Sequence, residues 1–361
     1  MHVLHLVPAL FDADDGIIGG AERYVYELAR HMARVTPTTL VTFGSHDRRE
    51  ARDGLSIVVL GRPWYPRGQR ANPVSFKLFA QLRGADVVHC HQQHILSSTL
   101  AAAYCRLTRR PVFVTDLGGG GWDVSAYIST DRWYRGRLHL SQYSRGLAHG
   151  ASDADHVILG GVDSEKFAPR DDVQRGRTIL FVGRLLPHKG IDTLIEALAP
   201  GMQLQIIGHE SEPRYSADLH KLAQGKAVTF RHDCDDDALI EAYRQAACVV
   251  LPSVYRTMYG DESRVPELLG QTLLEAMACG APTICSNVAS LPEIVQDGVT
   301  GLIVPEAGAA ALRTALSWML DHPAQAAAMG RAGRRRILQH FTWPQVVARC
   351  LRIYRCCDSA S

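Results

Sequence analysis

The sequence predicts an α/β protein built from two doubly wound domains. Short apolar runs rich in Val, Leu and Ile alternate with amphipathic helical patterns along the chain, which is typical of a parallel sheet covered on both faces. The length of 361 residues exceeds what one hydrophobic core usually serves, at about 150 residues per domain. Hydrophobic residues make up 46% and charged residues 21%, a composition that excludes disordered and fibrous proteins.

The first series of elements begins with an apolar segment at the N-terminus, which predicts a buried first strand. In this half we predict strands near Val3–Pro8, Thr38–Phe43, Ser56–Leu60, Asp86–Cys90, Val112–Thr115 and His156–Leu159. Helices are predicted near Ala21–Arg34, Val74–Gln81, Leu96–Thr108 and Arg137–His149. Each combines helical periodicity with polar flanks.

A turn-rich and polar segment then interrupts the pattern between Gly160 and Asp172, and such a segment predicts an interdomain linker. The second series of predicted strands is Thr178–Val182, Leu204–Ile207, Ala227–Phe230, Cys248–Leu251, Pro282–Cys285 and Leu302–Val304. The predicted helices are Gly190–Leu198, Ser216–Ala223, Asp236–Ala246 and Glu267–Ala278, followed by Ala-rich helices. We therefore place the domains at residues 1–165 and 172–340.

Several features predict a cytoplasmic protein. Charged or polar residues break every apolar run before it reaches the roughly 18 to 20 residues that span a membrane. The N-terminus lacks a basic leader followed by a long apolar region. The nine cysteines include no Cys-x-x-Cys pair, and several lie in apolar runs where a thiol behaves as a small core residue.

The net charge of +2 is unevenly distributed. The segment from Gly61 to Gly150 holds twelve Lys or Arg residues against four Asp and no Glu. This basic half favours an anionic partner, such as the inner face of the cell membrane or a lipid-linked phosphate. An ordinary solvated basic surface explains the same charge equally well. No nucleic-acid partner is predicted.

The strongest motif is a pair of glutamates, Glu267 and Glu275, with Gly270 between them. If a helix begins near Glu267, both carboxylates lie on one side of it, about 12 Å apart along the axis, a span that suits the two ends of a nucleotide sugar. By spacing alone, two such glutamates are more often a solvated helix face. The apolar neighbours of Glu275 argue against that interpretation, because a buried carboxylate needs a partner.

A second motif has the pattern Gly-Arg-x-x-x-x-Lys-Gly after a predicted strand. It contains Gly183, Arg184 and Lys189, and a predicted helix follows. Two cations beside a helix N-terminus can hold a pyrophosphate leaving group and stabilise the charge that develops on it, so that no metal ion is required. Taken alone, the motif is explained equally well by two ordinary surface cations.

Together these motifs resemble the retaining glycosyltransferases of the GT-B fold, specifically the large family four, whose members carry the E-x7-E element. The resemblance implies two Rossmann-like domains that face each other across a cleft. The first domain would present the acceptor and the second would hold the nucleotide sugar. A C-terminal helix over residues 343–356 would pack back on the first domain.

The resemblance also implies individual roles. Glu267 would contact the hydroxyls of the donor sugar, Glu275 would hydrogen-bond the ribose, and the backbone around Gly270 would meet the diphosphate that Arg184 and Lys189 hold. The predicted catalytic residues are Glu267, Arg184 and Lys189. The predicted donor-binding residues are Gly183, Arg184, Lys189, Glu267, Leu268, Leu269, Gly270, Gln271, Thr272 and Glu275.

Candidate acceptor residues in the first half follow predicted strands. A glycine-rich segment that ends in Gly19 and Gly20 opens a helix, and glycine lets the backbone approach a ligand closely. The resemblance places these glycines at the floor of the cleft and directs a histidine of the His89/His91 pair towards the acceptor. Asp116 stands where many relatives have a histidine, and four glycines after it predict either a loop that contacts the ligand or a plain flexible loop.

The same histidines raise the question of a metal. His89, Cys90, His91 and His94 are close in sequence, but they end a strand and lack a fourth ligand at regular spacing. We therefore predict no metal site and no cofactor.

The predicted function is the metal-independent transfer, with retention, of a hexose-type sugar from a nucleotide diphosphate sugar. The acceptor would be a hydroxyl of a glycan or lipid-linked molecule, in surface polysaccharide or glycoconjugate biosynthesis. A nucleotide-sugar epimerase of the same fold, which needs no acceptor, and a non-catalytic nucleotide-sugar-binding protein are the alternatives.

Overall fold

The structure is a computed structural model that describes residues 1–11, 19–117, 122–148 and 152–356. The chain divides into two compact units. The first consists of Met1–Gly161 together with Trp343–Ser361, and the second consists of Val162–Thr342. The N-terminal segment of the first unit ends at Gly161, four residues before the boundary predicted at residue 165.

The sheet of the first unit has eight strands in the order β3-β4-β2-β1-β5-β6-β7-β8. They are β1 Val3–Leu6, β2 Thr38–Gly44, β3 Arg48–Arg52, β4 Leu55–Gly61, β5 Val87–Cys90, β6 Val112–Val114, β7 Gly136–His139 and β8 Asp155–Val157. All neighbouring pairs are parallel except β3 with β4. Strands β1 and β5 are buried along their whole length, as expected for the centre of a parallel sheet.

Two strands of this sheet differ from the prediction. The strand β3 (Arg48–Arg52) was not predicted, because its sequence Arg-Arg-Glu-Ala-Arg is charged; it is an antiparallel edge strand with exposed positions, where charge is tolerated. The helix predicted over Arg137–His149 is wrong. Gly136–His139 is the buried strand β7, and of the residues described in this range only Gln142–Leu147 form a helix.

The sheet of the second unit has six strands, all parallel, in the order β11-β10-β9-β12-β13-β14. They are β9 Thr178–Val182, β10 Gln203–Ile207, β11 Ala227–Arg231, β12 Cys248–Leu251, β13 Thr283–Ser286 and β14 Gly301–Val304. Numbered within the unit, this is the order 3-2-1-4-5-6 of the Rossmann fold. The predicted α/β class with two Rossmann-like domains is confirmed.

Helices lie between the strands of both sheets, and α10 and α11 follow the last strand of the second sheet. In the first unit they are α1 Gly20–Ala33, α2 Leu78–Leu82, α3 Leu96–Leu107 and α4 Gln142–Leu147. In the second unit they are α5 Ile191–Ala197, α6 Pro213–Leu222, α7 Asp236–Gln245, α8 Gln271–Ala278, α9 Leu291–Ile294, α10 Ala309–Asp321 and α11 Pro323–His340. No helix in the described part of the chain is long and apolar enough to cross a membrane.

The last helix, α12 (Trp343–Cys356), belongs to the first unit. It packs on α1, where the ring centroids of Trp343 and Tyr24 are 5.2 Å apart. The contact with the preceding chain is also close, because a Cβ at Gly161 would lie 2.6 Å from the Trp343 ring. Trp343 is fully buried and fixes the start of this helix in the first unit.

Candidate functional site

The strand order of the second unit marks where a ligand binds. In an open parallel sheet, ligands lie beyond the carboxyl ends of the strands at the point where the strand order reverses. Here that point lies between the neighbouring strands β9 and β12. The segment after β9 contains Gly183, Arg184 and Lys189, and the segment after β12 leads to Glu267. Both predicted donor motifs therefore follow the two strands at the switch point.

These two segments meet in an ion pair. The Lys189 Nζ donates to Glu267 Oε1 at 2.5 Å, and Ser253 Oγ donates to the same oxygen at 2.8 Å. The Glu267 side chain is largely buried, whereas the Lys189 side chain keeps some exposure to solvent. The carboxylate is thus held in one orientation by two donors, while the other Lys189 protons can reach a ligand.

Glycine conformations allow this close approach. Lys189 ends a short 3₁₀ turn, and Gly190 follows it with a φ of 66°. A Cβ at Gly190 would lie 2.1 Å from the carbonyl oxygen of Pro252, in the segment after β12. Only glycine fits both the backbone angle and the contact.

The element that carries the two glutamates differs from the prediction. The helix was expected over Glu267–Ala278, but α8 begins at Gln271, and Gly270 precedes it in a left-handed conformation with a φ of 69°. Glu267 lies in the segment before the helix, where Ser290 Oγ donates to its carbonyl oxygen at 3.2 Å. The two carboxylates are therefore fixed by separate contacts and not by one helix face.

Glu275 lies inside α8 and is 7% exposed. Its Oε2 accepts a hydrogen bond of 2.9 Å from the hydroxyl of Tyr243, on α7. Burial, and then the neighbouring Glu275 carboxylate, raises the pKa of Tyr243 well above its usual value, so the hydroxyl stays protonated and donates. Gln271 Nε2 lies 3.3 Å from the other carboxylate oxygen. A buried partner for Glu275, expected from its apolar neighbours, is therefore present.

The cations at this site differ in their surroundings. Arg184 is exposed, and no carboxylate of the described residues lies within ion-pair distance of it. His188 is partly buried next to Lys189. Burial, followed by the charges of Lys189 and Arg184, lowers the pKa of His188 to about 4, so it is neutral near pH 7. The fixed positive charge here comes from Arg184 and Lys189.

The other predicted donor residues surround the start of α8. Leu269 and Gly270 are buried and Leu268 is partly exposed. Thr272 Oγ1 donates to the carbonyl oxygen of Val182, at the end of β9, at 3.1 Å. This bond ties the first turn of α8, whose N–H groups lack intrahelical partners, to the strand that leads into Gly183.

In the first unit, the equivalent switch point lies between β1 and β5. Gly19 and Gly20 stand at the start of α1, in the connection that follows β1. The part of the glycine-rich segment that precedes Gly19 falls outside the described residues, as does the glycine run at 118–121. Asp116 is exposed, two residues after β6.

His89 and His91, the candidate acceptor residues, lie inside the first unit. Both are buried, at 0% and 1% exposure, together with His5 on the neighbouring strand. The His89 ring nitrogens lie 2.8 Å from Thr115 Oγ1 and 2.7 Å from the hydroxyl of Tyr354 on α12. Both nitrogens are thus hydrogen-bonded inside the unit, and His89 is a core residue.

His5, His89 and His91 are close enough together to be considered as metal ligands. One ring nitrogen of each lies within 4.8 Å of the others. However, His5 Nδ1 and His91 Nε2 are hydrogen-bonded at 2.7 Å, and His5 Nε2 faces the Met32 sulfur at 3.3 Å. A metal ligand needs a free lone pair, and among these atoms only His91 Nδ1 has no described partner. We interpret the group as a hydrogen-bonded core cluster.

Two protein families match the chain along most of its length. Residues 18–167 match the family described as Glycosyltransferase Family 4, and residues 163–336 match Glycosyl transferases group 1. The GDP-mannose-dependent alpha-(1-6)-phosphatidylinositol monomannoside mannosyltransferase of Mycolicibacterium smegmatis is 32% identical over 360 residues, with 90% of this chain and 84% of that protein covered. The chain belongs to the family 4 glycosyltransferases.

Other relatives agree with this membership. The alpha-maltose-1-phosphate synthase of Mycobacterium tuberculosis is 30% identical over 391 residues, which cover 94% of this chain and 96% of that protein. Among solved structures, the sucrose-phosphate synthase from Thermosynechococcus elongatus superposes with a TM-score of 0.75 at 23% identity over the full length of both chains. Anabaena Alr3699/HepE in complex with UDP-glucose gives 0.75 at 18% identity, covering 99% of this chain and all of that one. The expected GT-B fold is confirmed.

Several residues of this candidate site were not predicted. Ser253, Tyr243 and Ser290 each hydrogen-bond one of the two glutamates, yet they are isolated in sequence from both motifs. Only Ser253 carried a signal, because it closely follows the end of a predicted strand, where site residues of a parallel sheet collect.

Proposed function

We propose that this glycosyltransferase moves a hexose-type sugar from a nucleotide diphosphate sugar to a hydroxyl of a glycan or lipid-linked acceptor, with retention at the anomeric carbon. The second unit would hold the donor and the first unit would present the acceptor. The product would be part of a surface polysaccharide or glycoconjugate.

The observation that supports this proposal most is the set of charges at the switch point of the second unit. It combines Arg184, which has no ion-pair partner among the described residues, the Lys189–Glu267 ion pair and the buried carboxylate of Glu275. A donor of this class carries a diphosphate with a ribose on one side and a hexose on the other. The two cations suit the diphosphate, Glu275 suits ribose hydroxyls, and Glu267 suits hexose hydroxyls.

In the proposed reaction, the bond between the anomeric carbon and the diphosphate oxygen breaks, and the diphosphate keeps the electron pair. Arg184 and Lys189 would stabilise the charge that develops on it. The acceptor oxygen forms the new bond on the same face of the sugar, and its proton passes to a diphosphate oxygen. Glu267 would position the sugar and stabilise positive charge on its ring, and no carboxylate acts as a covalent nucleophile.

We propose that the reaction needs no metal ion, since two side-chain cations can supply the charge that a divalent ion supplies elsewhere. We also propose a cytoplasmic location in which the basic first half contacts the inner face of the membrane. The net charge of +8 between Gly61 and Gly150 supports contact with anionic lipids.

The test is proton NMR of donor turnover in the presence of EDTA. Each of a set of UDP-, GDP- and ADP-hexoses is incubated with the enzyme, first alone and then with candidate glycan and lipid-linked acceptors. The proposal predicts that one donor is consumed in EDTA and that the anomeric signal of the first product keeps the configuration of the donor. An inverted product, an epimerised donor or full dependence on added divalent ions would overturn the corresponding part.

A further inference from the structure

An open cavity of about 530 Å³ lies at the amino edge of the first unit's sheet, beside the start of β5 and β6. Gly19 and Asp116 follow the carboxyl ends of strands and thus stand at the opposite edge. Four arginines line the cavity: Arg83, Arg109, Arg110 and Arg355. The site already described does not use them.

The arginines come from three separate parts of the chain. Arg83 follows α2, Arg109 and Arg110 form the turn after α3, and Arg355 is in the last turn of α12. Arg83, Arg109 and Arg355 are exposed, and Arg110 is half-buried. Convergence of like charges from three elements is unfavourable unless a counter-charge is present.

The described residues supply little counter-charge to these arginines. Among the described residues, none of the four guanidinium groups has a carboxylate within ion-pair distance. Arg110 Nη1 donates to the carbonyl oxygen of Leu82. Asp86 is the lining carboxylate, and it accepts a 2.7 Å hydrogen bond from the backbone N–H of His2.

Helix dipoles provide a competing explanation, because α2, α3 and α12 all end at this edge and cations favour helix C-termini. Each helix end carries roughly −0.5 of an elementary charge. Asp86 lies 3.8 Å from the Met1 amino group, which also lines the cavity and offsets the Asp86 charge. The three helix ends together offset roughly 1.5 of the four arginine charges, and a net charge of roughly +2.5 is left among the described lining residues. The helix dipoles therefore explain why each arginine lies near a helix C-terminus. They do not neutralise the total positive charge of the cavity.

We propose that this cavity binds a phosphoryl-bearing anion. Guanidinium groups match phosphate oxygens with paired hydrogen bonds, and the volume falls in the range of small-ligand sites. Both a free phosphorylated molecule and the headgroup of an anionic lipid have this chemistry. The ligand would join the end of α12 to the turns after α2 and α3.

The test uses a background variant, Arg184→Ala/Lys189→Ala, so that the donor site does not bind the probe. Inorganic pyrophosphate is titrated calorimetrically in one arm, and vesicles of phosphatidylcholine with phosphatidylglycerol are used for sedimentation in the other. The test variant is R83A/R109A, because neither side chain has a described hydrogen bond. The control is R62A/R70A, which removes the same charge from exposed positions of the same unit. Arg62 and Arg109 both have a left-handed backbone with a φ of 55°, so each variant replaces one residue in this conformation.

The proposal predicts that R83A/R109A weakens binding of at least one probe by about tenfold or more, while R62A/R70A changes it less than twofold. A loss confined to pyrophosphate identifies a free phosphorylated ligand, and a loss confined to vesicles identifies a lipid headgroup. Equal effects of the two variants on both probes, or no binding of either probe to the background protein, would overturn the proposal. Because the donor site is disabled throughout, this outcome is independent of the proposed transferase mechanism.

Discussion

Lys189 and Glu267, 78 residues apart in sequence, form a hydrogen-bonded ion pair at 2.5 Å. The pair joins the segments after β9 and β12. The Lys189 ammonium also compensates the charge of the buried Glu267 carboxylate in the absence of donor. An unpaired carboxylate in this position would be strongly destabilising. A bound diphosphate would then share Lys189 with Glu267, so donor binding and the orientation of Glu267 are coupled.

The first prediction concerns the effect of removing the negative charge of Glu267. In Glu267→Gln the amide can still accept from Ser253 and Lys189, so we expect the free energy of unfolding to fall by no more than about 1 to 2 kcal/mol. We expect kcat to fall by about 100-fold or more, because the negative charge near the reacting sugar is lost. Steady-state kinetics and urea unfolding measure the two effects. The control is Glu262→Gln, an exposed carboxylate nearby, and similar kcat losses in both variants would contradict the assignment.

The second prediction concerns the partner of Glu275. Tyr243→Phe removes the buried hydroxyl that donates to Glu275 at 2.9 Å. We expect unfolding to become easier by about 1.5 to 3 kcal/mol, and the KM for the donor to rise several-fold with a smaller change in kcat, because Glu275 loses its fixed orientation. Tyr354→Phe, which removes a buried hydroxyl bonded to His89 in the first unit, should lower stability without changing the donor KM. An unchanged KM in Tyr243→Phe would contradict the role of the Tyr243 hydroxyl in orienting Glu275 for the donor.

The third prediction separates backbone strain from steric contact at the start of α8. Gly270 and Gly298 both have a φ of 69°, but a Cβ at Gly270 would lie 2.7 Å from Leu291 Cδ2, whereas nothing lies within 4 Å of one at Gly298. Both alanine variants should lose about 1 to 2 kcal/mol from the left-handed conformation. Gly270→Ala should lose about 1 to 3 kcal/mol more and bind donor more weakly. Equal losses in urea unfolding would contradict the contact.

The fourth prediction is a pH dependence of stability. Burial lowers the pKa of His5 to about 3, and the pKa values of His89 and His91 are also well below normal. The unfolded chain takes up these protons below about pH 6.5 and the folded chain does not, so stability falls as the pH falls from 6.5 towards 3.

The test compares wild type with His5→Asn in urea at pH 7.5, 6.0 and 5.0. Below pH 6.5 the free energy of unfolding should fall with pH less steeply in the variant, by about 1.4 kcal/mol per pH unit. Identical slopes would mean that His5 takes up a proton in the folded state as readily as in the unfolded chain.

Much of the fold, and the grouping of residues at the candidate donor site, follows from local sequence, and the exceptions have tertiary causes. The α/β fold class and the positions of Arg184, Lys189 and Glu275 were predictable from local signals. These signals are the ends of predicted strands, the glycines that follow them and a carboxylate among apolar residues. Strand β7 was mistaken for a helix because a charged residue, Arg137, lies in it; its guanidinium forms a buried ion pair with Asp155 at 2.7 Å, which local sequence does not reveal.

The same limit applies to side-chain partners. Glu275 was expected to need one, but Tyr243 lies 32 residues away on another helix. His89 was a candidate acceptor residue because the family resemblance directs a histidine of the His89/His91 pair towards the acceptor. Its burial depends on α12, which supplies Tyr354 from 265 residues later in the chain.

The most direct test of the central claim, that the second unit binds a nucleotide sugar through Glu275, is a thermal-shift panel of UDP-, GDP-, ADP- and CMP-sugars in EDTA. Wild type is compared with Glu275→Ala and with Glu262→Ala as the control. A donor at 100 times its Kd adds about 2.7 kcal/mol of stability, which corresponds to a rise in Tm of roughly 5 to 10 °C for a unit of this size. The account predicts that one nucleotide class raises the Tm of wild type and the control but not of Glu275→Ala. An equal rise in all three proteins would contradict the role of Glu275, and no rise with any nucleotide sugar would contradict the donor site itself.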